Sequence, residues 1–315
     1  MPLRIGLVGA GPWALGELGP AVNELATVEL SGLWSRSPER AHAVGRDLDC
    51  AVFDDYEDLL AHCDAVVMAV APAAQLEPAI AAARAGRAVW LEKPLAATLE
   101  AAEAMAVAIR SAQVPTFFHL PYRESTEVQA LAAWSAAAPI EHVRVSFLSG
   151  ALLRDTDINE GWRGQGSQAD GVLLDLGPHG LGMAEQVAGP IRSVSAQTSQ
   201  AGWHCFSRHD RCTSMTTVMA RVAIDPSITQ VEALADDRRG SGQGYMRADA
   251  RAETRRERSL RALERFVNII ERGMIDHEFT VDAGVRMQRL LEAARRSAES
   301  GVAITIGDDR EGKQP

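Results

Sequence analysis

Leu3-Arg4-Ile5-Gly6-Leu7-Val8-Gly9-Ala10-Gly11-Pro12-Trp13-Ala14 is the stretch that decides the fold. Leu3–Val8 is an apolar run of strand length. The six residues from Gly9 fit G-x-G-x-x-[GA], and Pro12 suits a first helical position, where its missing N–H has no helical partner. Leu15, Leu18, Val22 and Leu25 then recur at helical spacing. Strand, glycine-rich turn and helix start together describe a dinucleotide-binding unit. The glycines let the backbone approach a pyrophosphate, and the helix N-terminus offers N–H donors and positive potential. Candidate cofactor contacts in this turn are Gly9, Gly11, Pro12, Trp13 and Ala14.

Working outward, Val28–Trp34 is a second strand. Its end is where an acid would meet the adenosine ribose and select NAD. The residues here are Ser35-Arg36-Ser37. Two readings fit. Two hydroxyls and a planar guanidinium can hold a 2′-phosphate, which favours NADP with NAD as the alternative. Or Arg36 and Ser37 only open the helix over 38–44, with Ser37 as its N-cap.

Strand and helix then alternate. Strands are expected at 50–53, 64–70, 88–91 and 114–118, and helices at 56–61, 77–85 and 98–112. The 64–70 run reads as a central parallel strand buried on both faces. The loop leaving it places Ala71, Pro72 and Gln75 on the edge where ligands bind in such sheets. The next strand delivers Glu92-Lys93-Pro94 to that same edge. Of thirty-two cationic residues only Lys93 and Lys313 are lysines; the rest are arginine. A guanidinium stays protonated at working pH, so a site that must hold or pass a proton needs an amine. Pro94 can fix the bend that presents Lys93, through a cis bond if one forms.

From His119-Leu120-Pro121-Tyr122-Arg123 the alternation breaks. A helix is expected at 125–136, an extended run at 141–149, and a Gly- and polar-rich loop at 155–170 that holds Trp162 and Arg163. Asp175 and His179 follow, four apart. One helical turn would set them on one face, but Gly177 and Pro178 are expected to interrupt the helix, leaving a regular helix only over 181–187. Alternatively Asp175 is an N-cap and His179 a satisfied surface residue. Strands at 191–196, 215–224, 229–235, 244–248 and 302–306 suggest an open, mainly antiparallel sheet, with helices at 260–272 and 282–300. The mixed-charge run 249–261 reads as a solvated helix start, because acids interleave with its arginines. The expected fold is therefore α/β: a doubly wound parallel sheet over 1–120, then an α+β domain over 121–315.

Composition limits the partners. A net charge of −10 argues against nucleic acid and anionic membranes. No apolar run approaches a membrane span of about 20 residues. Four cysteines are too few for a secreted disulfide scaffold, so cytoplasm is the default. His204, Cys205, His209 and Cys212 are zinc-compatible types, but the adjacent pair rarely aims at one ion and no second pair follows; no metal is expected.

With the glycine turn, Glu92-Lys93-Pro94 and Asp175-x-Gly177-x-His179 in this order, the chain resembles the Gfo/Idh/MocA oxidoreductases over nearly its whole length. That resemblance implies a Rossmann domain and an α/β domain whose open sheet makes homodimer or homotetramer contacts. It implies NAD(P)-dependent hydride transfer at a secondary alcohol or ketone of a sugar, cyclitol or related polyol. The alternatives are reduction of an imine or nucleotide-linked keto sugar, and a non-catalytic dinucleotide sensor. By position, Lys93 matches the lysine that hydrogen-bonds the reacting oxygen, His179 the general acid/base and Asp175 the aspartate beside them. Glu92 and Lys93 also border the cofactor. Arg123, Trp162 and Arg163 are further substrate candidates, Trp162 being as compatible with packing. Gly182 stands where the family often has Asp, and Gln75 where it usually has His.

Overall fold

The computed structural model describes residues 2–136, 143, 145, 172–197, 219–223 (backbone only), 253–273 and 279–307. The expected strands at 141–149, 229–235 and 244–248, the 155–170 loop and the 204–212 cluster fall outside these residues or almost entirely so. Two compact units are present: Met1–Ser125 with Arg251–Gln288, and Thr126–Ala250 with Arg289–Pro315.

The first unit holds five parallel strands: β1 Leu3–Val8, β2 Val28–Trp34, β3 Ala65–Met68, β4 Ala88–Glu92 and β5 Thr116–His119. Their order is β2-β1-β3-β4-β5. The chain leaves β1 to one side and returns on the other, so a switch point lies between the C-terminal ends of β1 and β3. Every residue of β3, β4 and β5 is buried, as a parallel sheet covered on both faces requires. The connecting helices are α1 Gly19–Glu24, α2 Pro38–Leu48, α3 Tyr56–His62, α4 Leu76–Arg84 and α5 Leu99–Ala112.

One expected strand is absent. Residues 50–53 make only an isolated bridge, Leu33 to Val52. Two backbone bonds fix it, Leu33 N–H to Ala51 O and Phe53 N–H to Leu33 O. The segment thus touches the outer edge of β2 at one residue and turns away into Asp54 and Asp55. Such polar residues extend no buried ladder.

The cover for one sheet face comes from far along the chain. Helix α8, Arg255–Arg272, follows two helices of the second unit, α6 Thr126–Ser135 and α7 Val172–Ala188. Its Ala262, Leu263, Phe266, Val267 and Ile269 join the core of Ile5, Leu7, Val67, Trp90 and Phe117. Trp90 meets Phe117 at 4.8 Å and Phe266 at 5.8 Å between ring centroids. Each such ring removed from water stabilises by about 2–3 kcal/mol. A capping box starts the helix: Thr254 Oγ1 accepts from the Glu257 N–H, and the Glu257 carboxylate accepts from the Thr254 N–H. The start of this helix is less solvated than its charges suggest. Arg258 is buried, its guanidinium 4.7 Å from the Tyr122 ring centre and donating to Glu253 O. Burial there lowers the Arg258 pKa from its ordinary value.

The second unit contains α6, α7, the later part of α9 (Val281–Ser300) and a small sheet. Its strands β6 Ser193–Gln197, β7 Met219–Ala223 and β8 Ile304–Thr305 run β7-β6-β8, both pairings antiparallel. Ser297 ties sheet to helix, its Oγ accepting from the Ala196 N–H and donating to Val302 O. Contrary to the expected break, α7 runs unbroken through Gly177 and Pro178. An interior proline costs about 3 kcal/mol. Leu173, Leu174, Leu181 and Met183 are buried from this one helix, each worth about 1.5–3 kcal/mol, so burial wins. Gly177 permits the close approach, since a Cβ there would lie 2.8 Å from Leu291 Cδ2. No helix among the described residues is long and apolar enough to cross a membrane.

Replacing Pro178 by Ala should restore the bond to Leu174 O and stabilise the protein by about 1–3 kcal/mol. Thermal unfolding reads this directly. A lowered midpoint would show that the helix needs the proline and is not regular there.

Candidate active site

The glycine turn stands at the C-terminal end of β1. Gly9 has φ +118°, and a Cβ on it would lie 2.5 Å from Ala69 O. Its N–H donates to Trp34 O at 2.8 Å. Gly9 therefore answers to the protein. Gly11 does not: a Cβ there would meet nothing within 4 Å. A glycine that the fold does not need, at a helix start with unpaired backbone N–H groups, fits a cradle for a pyrophosphate. Trp13 packs against the core, and its buried Nε1 has no hydrogen-bond partner among the described residues.

The helix then departs from the expected stripe. Ala14–Leu18 is a π-helical turn before α1. The wider turn rotates Leu15 outward, to 36% exposure, while Leu18 and Val22 stay buried, and α1 ends before Leu25. The turn also brings Glu17 inward, where its Oε1 accepts from Ser259 Oγ of α8 at 2.8 Å.

At the end of β2, Ser37 caps α2: its Oγ accepts from the Arg40 N–H at 3.4 Å. Ser35 Oγ accepts from the Ser37 N–H at 3.4 Å. Arg36 is exposed and forms no ion pair among the described residues. The capping role and an available guanidinium thus coexist.

At the ends of β3 and β4, Ala71 precedes the short 3₁₀ turn Pro72–Ala74. Gln75, 1% exposed, is fully engaged with protein. Its Oε1 accepts from the Glu92 N–H at 2.8 Å, and its Nε2 donates to Glu92 O at 3.0 Å and Leu95 O at 2.7 Å. Lys93, partly buried, follows Glu92, and the Lys93–Pro94 peptide is cis. The Glu92 side chain turns inward. Its Oε1 accepts from Trp90 Nε1 at 3.2 Å and lies 2.6 Å from His119 Nδ1. Sequence reasoning passed over His119 as a site residue. The signal is the β4–β5 register, which sets Glu92 opposite His119.

All of these groups stand at one edge of the first unit's sheet. Arg123 belongs to the same unit, in the turn Pro121–Glu124, with its guanidinium 5.0 Å from the Phe279 ring centre. Asp175 and His179 belong to the second unit. They share one face of α7, and each is only 8% exposed. Asp175 lies inside the helix and is no N-cap, and His179 is no surface residue. Trp162 and Arg163 lie outside the described residues.

The described cysteines offer no ready thiolate. Burial pushes the Cys63 thiol up to about 11 and raises that of Cys50. Among the described residues no group of three or more His, Cys, Asp or Glu could hold a metal.

Comparison with known proteins bears on this geometry. The profile of the Gfo/Idh/MocA oxidoreductase family, an NAD-binding Rossmann fold, matches residues 3–119, and that of the Gfo/Idh/MocA C-terminal domain matches 126–238. A dTDP-3,4-didehydro-2,6-dideoxy-alpha-D-glucose 3-reductase of Streptomyces violaceoruber is 29% identical over 192 residues, 59% of this chain and 55% of that protein. A levoglucosan dehydrogenase of Pseudarthrobacter phenanthrenivorans is 34% identical over 128 residues, 39% of this chain and 32% of that protein. Among solved structures, levoglucosan dehydrogenase with NADH and levoglucosan gives a TM-score of 0.72 at 21% identity, covering 98% of this chain and 100% of that one. The WlbA dehydrogenase of Bordetella pertussis with NADH and UDP-GlcNAcA gives 0.74 at 21% identity, with 98% and 100% covered. At these identities the likeness to the solved structures is one of fold.

The two glycines of the turn should separate on substitution. Gly11→Ala should leave the melting temperature near wild type and weaken dinucleotide binding about tenfold or more, since the new methyl occupies the cradle. Gly9→Ala should destabilise the protein by about 2–4 kcal/mol, through positive φ and overlap with Ala69 O. Calorimetry and fluorescence titration of NADH and NADPH distinguish them. Equal losses of stability would refute the cradle.

Proposed function

Because the chain belongs to the Gfo/Idh/MocA family of oxidoreductases, with both of the family's domains matched, we propose that it is an NAD(P)-dependent enzyme transferring a hydride at a secondary alcohol or ketone of a sugar or related polyol. The observations that carry this reading are Asp175 and His179 on one buried face of α7 in the second unit and, in the first unit, Lys93 at the ligand edge of the sheet. A sensor would need neither an imidazole nor an amine at those positions.

When bound, the dinucleotide supplies the hydride acceptor or donor. Gly11, Trp13, Ala14 and the helix start after them would hold its pyrophosphate, and Ala71 and Pro72 would border it. Lys93 donates a hydrogen bond to the substrate oxygen and stabilises the negative charge that develops there. His179 takes the hydroxyl proton in oxidation and returns it in reduction, a task suited to imidazole near neutral pH. Asp175, one turn before it, orients the ring. Arg123 and the Trp162-Arg163 pair are proposed substrate contacts.

Arg36 and Ser35, with no acid at the end of β2, favour NADP(H). The two solved relatives described above hold NADH, so the preference is to be measured on this chain. A nucleotide-linked keto sugar is the second substrate reading, favoured by the likeness to the Streptomyces reductase. The proposed setting is a homo-oligomer in the cytoplasm.

Turnover of keto sugars, polyols and nucleotide sugars is followed by nicotinamide absorbance. Lys93→Met should lower kcat roughly 10²–10³-fold and His179→Asn roughly 10²–10⁴-fold, with cofactor affinity retained. Cofactor binding without turnover across a broad panel would favour the sensor. Arg36→Ala should weaken NADPH binding about tenfold and leave NADH unchanged; unchanged NADPH affinity removes the 2′-phosphate assignment.

A further inference from the structure

The end of β4 is gripped from two directions by side chains that water does not reach. On one side the Gln75 carboxamide takes the Glu92 N–H and gives its own N–H groups to the carbonyls of Glu92 and Leu95. Those backbone groups flank Lys93 and Pro94. Leu95 is itself buried, and Gly284 packs so close that a Cβ there would lie 2.9 Å from Leu95 Cδ2. On the other side, Glu92 Oε1 receives His119 and Trp90. Glu92 is 5% exposed and His119 fully buried, its ring centre 4.5 Å from that of Trp90.

The chemistry of this pair is constrained. Glu92 Oε1 already accepts from the Trp90 N–H, and with the same oxygen accepting from His119 the imidazole presents its N–H at Nδ1. Its Nε2 is buried without a hydrogen-bond partner among the described residues, so the hydrogen bonding of the ring there is to Glu92. A buried carboxylate persists only while it is hydrogen-bonded. Without His119, Glu92 keeps Trp90 alone and is driven toward solvent, and the backbone that moves with it carries Lys93.

We infer that His119, acting through Glu92, and Gln75 are positioning residues that hold the Lys93 amine in one geometry. Glu92 and Gln75, expected to border the cofactor, also make the side-chain bonds of this brace. The inference rests on the reading of Lys93 as the residue that meets the substrate oxygen, but its test does not.

Because the chain has only two lysines, Lys93 and Lys313, amine reactivity can be read without catalysis. Trace acetylation of the cofactor-free protein at pH 8, followed by peptide mass spectrometry, gives the labelling ratio of Lys93 to Lys313. His119→Phe removes the donor and keeps a ring; it should change that ratio at least about twofold and lower kcat roughly 10–100-fold, with little change in cofactor affinity. His119→Asn, which can donate from Nδ2 in place of Nδ1, should restore both. A folded His119→Phe protein with the wild-type ratio overturns the inference, as does a changed ratio that Asn fails to restore. Should His119→Phe not fold, amide exchange in the wild-type protein decides. The Glu92 amide, held by Gln75, should exchange as slowly as those of Val89 and Trp90, and exchange at loop rates overturns the brace. A wild-type protein that turns over no substrate would count against the proposed function only, since labelling and exchange are read without it.

Discussion

A parallel sheet must be covered on both faces, and the first unit depends on meeting that demand. Strands β3, β4 and β5 are buried along their whole length, so neither face of the sheet there is open to water. Helices between the strands supply part of the cover. Another part is α8, which places Phe266 against Trp90 and Phe117. The described part of the mixed-charge run, from residue 253, makes sense in this light: it leads into an amphipathic helix whose arginines bond the Pro121–Glu124 turn. Arg261 donates to Glu124 O, and Arg265 pairs with the buried Glu124 carboxylate. A carboxylate taken out of water needs such partners.

The same demand creates the ligand edge. Strands fixed along their length release the chain only at their C-terminal ends, where turns must be built from residues with special backbone or hydrogen-bonding capacity. Gly9 meets this with a positive φ, Gln75 with a carboxamide that substitutes for missing ladder bonds, and Pro94 with a cis peptide. Gly11 is different in kind, because among the described residues nothing stands where its Cβ would be.

Local signals were legible from residues alone. Strand β1, strand β2, the Thr98-capped helix α5 and the glycine turn follow from periodicity, caps and turn chemistry, which act over a few residues. Where local rules failed, longer-range packing had prevailed. The 50–53 run has strand composition but lies where β2 accepts a single bridge. Leu15 fits a 3.6-residue stripe that a π-helical turn displaces. Pro178 opposes a helix that buried leucines nonetheless hold together.

The sequence by itself determined the dinucleotide turn, the alternation of strand and helix, and the order of Glu92-Lys93-Pro94 before Asp175 and His179. These are properties of neighbouring residues, and spacing expresses them. Only the tertiary structure decided that α8 covers the sheet, that Asp175 and His179 share an unbroken helix, and that Gln75, Glu92 and His119 surround the strand end bearing Lys93. Those three lie 17 and 27 residues apart. What unites them is strand register and exclusion of water, which a linear pattern does not carry.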